Sequence, residues 1–167
     1  MISYQGFGKE QKVHQLSPYL VKEYRNRWYV VGFSDRTEST IVLALDRIQK
    51  IKRGESRYIS KADFSPGDFF KYSLGITQVQ GAEPQNVVLS FAPLPAQYIL
   101  SQPLHHSQEI IEATGKKVVI QMKLYITQEL IMTILSYGEN ITVVAPEMLR
   151  NQIMEMIEKM KGQYKIK

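Results

Sequence analysis

The chain has no cysteine and only three histidines: His14, His105 and His106. The first absence excludes a disulfide framework, a thiolate metal site and a cysteine nucleophile. The second leaves too few imidazoles for a His-rich catalytic zinc site within one chain. No apolar run approaches the roughly 18 residues that a membrane-crossing helix needs, and no basic-then-apolar leader opens the sequence. A soluble, cytoplasmic protein without membrane attachment is expected. Phosphate-cradling glycine loops, a nucleophile elbow and the helical zinc-histidine pair are also missing. Gly6-Phe7-Gly8 lies between two expected strands rather than at a strand-to-helix turn, so it carries no dinucleotide-binding meaning. With no catalytic constellation visible, the chain is read as a non-enzyme with no catalytic residues, metal or cofactor.

What remains is an ordinary globular composition, 167 residues with 44% hydrophobic and 22% charged side chains, which argues against wholesale disorder. The net charge of +5 is unevenly distributed. Residues 1–60 hold 11 Lys and Arg against 6 Asp and Glu, whereas residues 61–167 hold 10 of each. A basic region beside a neutral one suits a module that meets an anion such as nucleic acid, a nucleotide or an acidic surface. The alternative is a solvated basic surface with no ligand.

Residues 1–60 read as short strands: Met1–Gln5, Lys12–Leu16, Pro18–Tyr24, Arg27–Ser34, Thr40–Leu45 and a last one over Lys50–Arg53. Such spacing predicts a small barrel or rolled sheet whose ligand would bind on a face or rim. Residues 61–85 read as a connector with one helix, started by Ser65-Pro66-Gly67-Asp68 and stopped at Gly75. Residues 86–167 follow a β-α-β-β-α-β order with an extra C-terminal helix, the ferredoxin-like arrangement. The fold class is therefore α+β. On the last helix Leu149, Ile153, Met156, Ile157 and Met160 share one face, a core or dimer-facing stripe.

The densest chemistry runs from Lys22 to Tyr29, where cations alternate with aromatic rings able to stack on bases. Strand alternation puts Arg27 and Tyr29 on one face and Trp28 and Val30 on the other. Trp28 and Val30 are expected in the core, while Tyr29 beside Arg27 is either core or part of a binding face. His14 is open to a structural or a ligand-contact role. His105-His106 is expected to pack or hydrogen-bond rather than bind metal.

Pro18-Tyr19-Leu20-Val21, Arg27-Trp28-Tyr29-Val30-Val31-Gly32-Phe33 and Leu45-Asp46-Arg47-Ile48 together resemble the WYL domain of bacterial transcription regulators. The name-giving Trp-Tyr-Leu stands here as Trp28-Tyr29-Val30. The second half is similar to the WCX extension that often follows, through Val88-Leu89-Ser90-Phe91, His105-His106-Ser107-Gln108, Leu135-Ser136-Tyr137-Gly138 and Val144 to Arg150. The resemblance implies an Sm/SH3-like β-barrel followed by a ferredoxin-like domain. It also implies an effector-sensing and oligomerising role, with a nucleotide or short single-stranded nucleic acid as the anionic effector and a homodimer as the assembly. Matching positions on the binding face are Ser3, Tyr4, His14 and Arg47. Relatives carry extra arginines where this chain has Ile41 and Ala44, which takes two cations from the implied anion site. Arg47 is then either the fixed cation of that site or half of a structural pair with Asp46. Such regulators usually begin with a winged helix-turn-helix. Here the sequence starts at Ile2-Ser3-Tyr4, so duplex DNA binding is expected only through a missing N-terminal domain. The reading from a different class is a structural dimerisation and protein-interaction module with no small ligand.

Overall fold

The computed structural model describes residues 1–54 and 57–164. Residues 55 and 56, inside the expected barrel region, and 165–167, at the end of the expected last domain, lie outside the described residues. The chain divides into two compact units, Met1–Lys71 and Tyr72–Lys167.

The first unit contains β1 (Ile2–Tyr4), β2 (Lys12–His14), β3 (Leu16–Tyr24), β4 (Arg27–Ser34), β5 (Ser39–Ala44), a single 3-10 turn (Leu45–Arg47) and β6 (Ile48–Ile51). Its strands form two antiparallel three-stranded sheets, in the orders β2-β1-β6 and β3-β4-β5, rather than one continuous hydrogen-bonded ring. The strand expected over Lys12–Leu16 divides at Gln15, and β3 begins two residues before Pro18. Proline is tolerated inside β3 because the register shifts between Pro18 and Leu20, a bulge opposite Gly32. Only glycine fits there: a Cβ on Gly32 would stand 2.4 Å from the Ser17 carbonyl oxygen and 2.9 Å from Pro18 Cα. Arg25 and Asn26, both at positive φ, make the tight two-residue turn between β3 and β4.

Val30, Val31, Leu43 and Ala44 are the buried apolar residues of this unit. Val30 meets its expectation, but Trp28 does not: it is 54% exposed. Trp28 sits one position past the residue that flanks the hairpin turn, where the two-stranded tip has outrun its core. Helix α1 (Pro66–Phe70) starts as expected, with Ser65 Oγ accepting the Asp68 N–H at 3.2 Å, but it ends well before Gly75. Tilted ring contacts hold it: the ring centroids of Tyr19 and Phe64 lie 5.0 Å apart and those of Phe64 and Phe69 5.5 Å apart.

The second unit runs β7 (Gln85–Phe91), α2 (Pro93–Ser101), β8 (Glu109–Ala113), β9 (Val118–Leu124), α3 (Gln128–Ser136), β10 (Ile141–Ala145) and α4 (Glu147–Gln163). Its antiparallel sheet has the order β10-β7-β9-β8, the ferredoxin-like arrangement. Alternation turns Val87, Leu89 and Phe91 of β7 and Ile120, Met122 and Leu124 of β9 into one core. Leu130, Ile131 and Ile134 from α3, with Leu149 and Ile153 from α4, complete it. Thr127 Oγ1 caps α3 by accepting the Leu130 N–H. The overall class is α+β.

Candidate functional site

The β1–β2 register pairs Ile2 with His14 and Tyr4 with Lys12, so Tyr4, Lys12 and His14 share one face. On β5, Ile41 and Leu43 also share a face by the period of two. These residues, with Gly6, Phe7, Lys9, Glu10, Thr37 and Arg47, line a cavity of about 360 Å³. Arg47 enters it from the 3-10 turn, which is tied to β1 by the Gln5 N–H donating to the Arg47 carbonyl at 3.2 Å.

His14 is buried, and its Nδ1 lies 2.9 Å from Ser34 Oγ. Tyr4 meets its ring edge-on, with centroids 6.5 Å apart. Burial holds the His14 pKa below the ordinary value of 6.5, and the positive charges of Arg36 and Lys12 push it the same way. The imidazole is therefore neutral near pH 7, a polar wall of the cavity rather than a cation. Of the cations in the lining, Lys9 and Lys12 are exposed and Arg47 is partly buried. Its guanidinium carbon stands 4.3 Å from the centroid of the Phe7 ring, and its Nε is buried with no hydrogen-bond partner. A buried donor left so costs about 1–3 kcal/mol.

Arg47 and its neighbour Asp46 do not form the pair that the sequence left open. Asp46 pairs instead with Arg27, at 3.6 Å, and no acid pairs with Arg47 among the described residues. Of the six residues expected at the site, Tyr4, His14 and Arg47 line the cavity, while Ser3, Arg27 and Tyr29 lie outside its lining. Ser3 alternates away from Tyr4 and pairs with Val13. Arg27 and Tyr29 belong to the middle strand of the other sheet. Lys22 and Arg25 are also engaged elsewhere, over the rings of Phe70 and Tyr24. Ile41 does face the cavity, but Ala44 is buried outside its lining, so a cation is absent from one of its wall positions rather than two. Sequence reading missed Lys9, Lys12 and Ser34. The β1–β2 pairing carried the signal for Lys12, whereas Ser34 needed the fold.

In the second unit, Leu135, Ile141, Ile153, Ile157 and Met160 line an apolar groove of about 410 Å³. The expected stripe on α4 is thus divided: Leu149 and Ile153 are buried, and Ile157 and Met160 are 49% and 45% exposed. His105 Nδ1 lies 2.8 Å from Ser107 Oγ, a hydrogen-bonded packing role. Among the described residues no cluster of three potential metal ligands occurs, and no helix is long and apolar enough to cross a membrane.

The fold and the cavity define a two-unit α+β chain whose first unit carries a ligand-sized recess lined by Arg47, Lys9 and Lys12. Residues 1–53 match the family model described as the WYL domain, and residues 83–161 match that described as the WCX domain. The chain thus carries a WYL domain followed by a WCX domain. This pair supports a sensing and oligomerising region of a regulator, and the family is generally non-enzymatic. A solved structure described as a CRISPR Cas-related protein matches over 98% of this chain and 46% of its own, at 12% identity and a TM-score of 0.60, a likeness of fold alone. Proteasome accessory factor B/C (PafBC) of Arthrobacter aurescens matches over 99% of this chain and 25% of its own, at 14% identity and a TM-score of 0.43. This chain spans less than half the length of either. No curated protein gives a significant match.

Proposed function

We propose that this chain is the effector-sensing and oligomerising region of a WYL-type transcription regulator, with an anionic ligand of nucleotide type bound in the Tyr4–His14–Arg47 recess. The observation that carries this reading is Arg47, a cation that lines the cavity with its Nε buried and unpartnered and with no ion pair among the described residues. Arginine's planar donor fork suits a phosphate or carboxylate. Tyr4 and neutral His14 supply further hydrogen-bonding groups. Titration of the purified chain with mononucleotides and short oligonucleotides at two salt concentrations tests it. Saturable binding that weakens with salt and is lost in Arg47→Ala supports the reading; binding indifferent to Arg47 defeats it.

The WCX half is proposed to bring two copies together. The exposed end of the α4 stripe and the adjoining groove form an apolar surface in an otherwise neutral region. Light scattering should give twice the chain mass of 19.3 kDa, and a clean monomer at micromolar concentration would contradict it.

A further inference from the structure

Gly6-Phe7-Gly8 has no place in the function derived so far, yet it forms one side of the recess. The turn is closed at its base by the Lys9 N–H donating to the Gly6 carbonyl at 3.1 Å and by Gln5 Nε2 donating to the Lys9 carbonyl at 3.3 Å. Gly8 adopts φ +66, a conformation glycine takes without strain. At the tip stands Phe7, 73% exposed, with its ring against the Arg47 guanidinium. An apolar ring left in water beside a ligand-sized cavity is a contact awaiting a partner. Because Phe7 and Arg47 touch, an anion held at the guanidinium edge brings whatever is attached to it within reach of the phenyl ring.

Part of the lining is apolar, through Ile41 and Leu43. Lys9 and Lys12 also line the recess, but both are exposed, with the acid Glu10 between them in sequence, so among the lining cations only Arg47 is partly buried.

We propose that Phe7 is a stacking flap, and that the recess takes a planar ring carrying one anionic group, with the ring on Phe7 and the anion on Arg47. A nucleoside monophosphate and an aromatic carboxylate share this chemistry. The proposal rests on the Tyr4–His14–Arg47 recess being the effector site, and narrows its ligand to a planar ring bearing a single anionic group, one phosphate monoester or one carboxylate.

The test is calorimetric titration of the whole chain with adenosine 5′-monophosphate, benzoate, inorganic phosphate and a short oligothymidylate. The wild type, Phe7→Ala, Phe7→Tyr and Arg47→Ala are compared. Phe7 is exposed, so its variants should keep the wild-type melting temperature. The expected result is binding of at least one ringed probe that Phe7→Ala weakens about tenfold, the scale of one stacked ring, and that Phe7→Tyr restores. Inorganic phosphate should be indifferent to Phe7 and sensitive to Arg47. The ringed probe that binds tells a nucleotide source from a carboxylate source. If Arg47→Ala abolishes binding while Phe7→Ala leaves the ringed probes unchanged, the flap falls and the effector site stands. If binding ignores Arg47, the site itself falls. Oligothymidylate bound more tightly than the monophosphate with a log–log salt slope of about 2 or steeper, the release of several counterions, would overturn the single-anion ligand. No binding of either ringed probe at millimolar concentration would overturn it too.

Discussion

The two units solve the problem of holding a fold in different ways. The second is built around one continuous apolar cluster in which β7, β9, α3 and α4 each bury several side chains. The first buries Val30, Val31, Leu43 and Ala44 together with three polar residues, His14, Ser17 and Ser34, whereas the second sets its own three, Ser73, His105 and Thr127, beside a far larger apolar cluster. In the first, two hydrogen bonds of these polar residues bind distant segments: His14 to Ser34, and the Ile59 N–H to Ser17 Oγ at 2.9 Å. The first unit also carries the surplus charge. The lesson is a division of labour: the apolar unit is suited to persistence and assembly, and the polar, basic unit to recognition.

The largest effect should come from the apolar core. Phe91 is 1% exposed and meets Tyr137 edge-on at 5.3 Å. Phe91→Ala should cost about 3–5 kcal/mol, lost transfer energy plus a cavity, read as loss of the helical circular dichroism signal at lower urea. A cost under about 1 kcal/mol would mean that the cluster is looser than its burial implies.

Next comes Gly32→Ala. The added methyl has backbone on its path, Ser17 O and Pro18 Cα, so it cannot be accommodated by a side-chain rotation. About 3 kcal/mol is expected, the upper part of the overpacking range. Trp28 is the sole tryptophan and lies in the first unit, so its fluorescence reports this unfolding directly. An unchanged urea midpoint would show that the β3 bulge yields.

Arg47→Ala should do the opposite of both, costing about 1.5–3 kcal/mol of anion binding, the range for a charged hydrogen bond. It should leave the melting temperature nearly in place, since no acid is paired with Arg47 among the described residues. Lost stability with unchanged binding would make Arg47 structural and erase the contrast between the units.

Legibility in the sequence followed the same division. In the second unit the expected β-α-β-β-α-β order with an extra C-terminal helix is the observed one, because period-two and helical patterns there agree with local signals such as the Thr127 cap. Burial there is decided locally, by which face is apolar. In the first unit strands are short, and identity alone does not say which side chain is covered. Trp28 was misplaced because burial at a hairpin tip depends on what lies across it. The split of the site residues, Tyr4, His14 and Arg47 together and Ser3, Arg27 and Tyr29 elsewhere, depended on two sheets whose pairing the sequence does not announce. Pro18 inside β3 was legible only in retrospect, from the bulge and Gly32. The Arg27–Asp46 pair followed no local rule, being set by β4 and the 3-10 turn meeting in space.

The smallest expected effect concerns His14 and pH. Its folded pKa lies below the ordinary 6.5, with burial the main cause and Arg36 and Lys12 adding to it. Unfolding exposes the ring to water and returns it to about that ordinary value. Between the two values the unfolded chain binds more protons than the folded one, so stability rises with pH across that window. The neutral imidazole's contribution is present in full above the unfolded value and is lost progressively as pH falls from it toward the folded value. Carboxylates add their own acid dependence, so the readout must be a difference. Urea unfolding followed by Trp28 fluorescence, at a pH near 7.5 and another near 5.5, should show a larger loss of stability in the wild type than in His14→Gln. Glutamine cannot titrate, and its amide keeps a polar group facing Ser34 Oγ. Equal losses in the two proteins would mean that His14 titrates alike folded and unfolded, and that its bond to Ser34 leaves it open to protons from the recess.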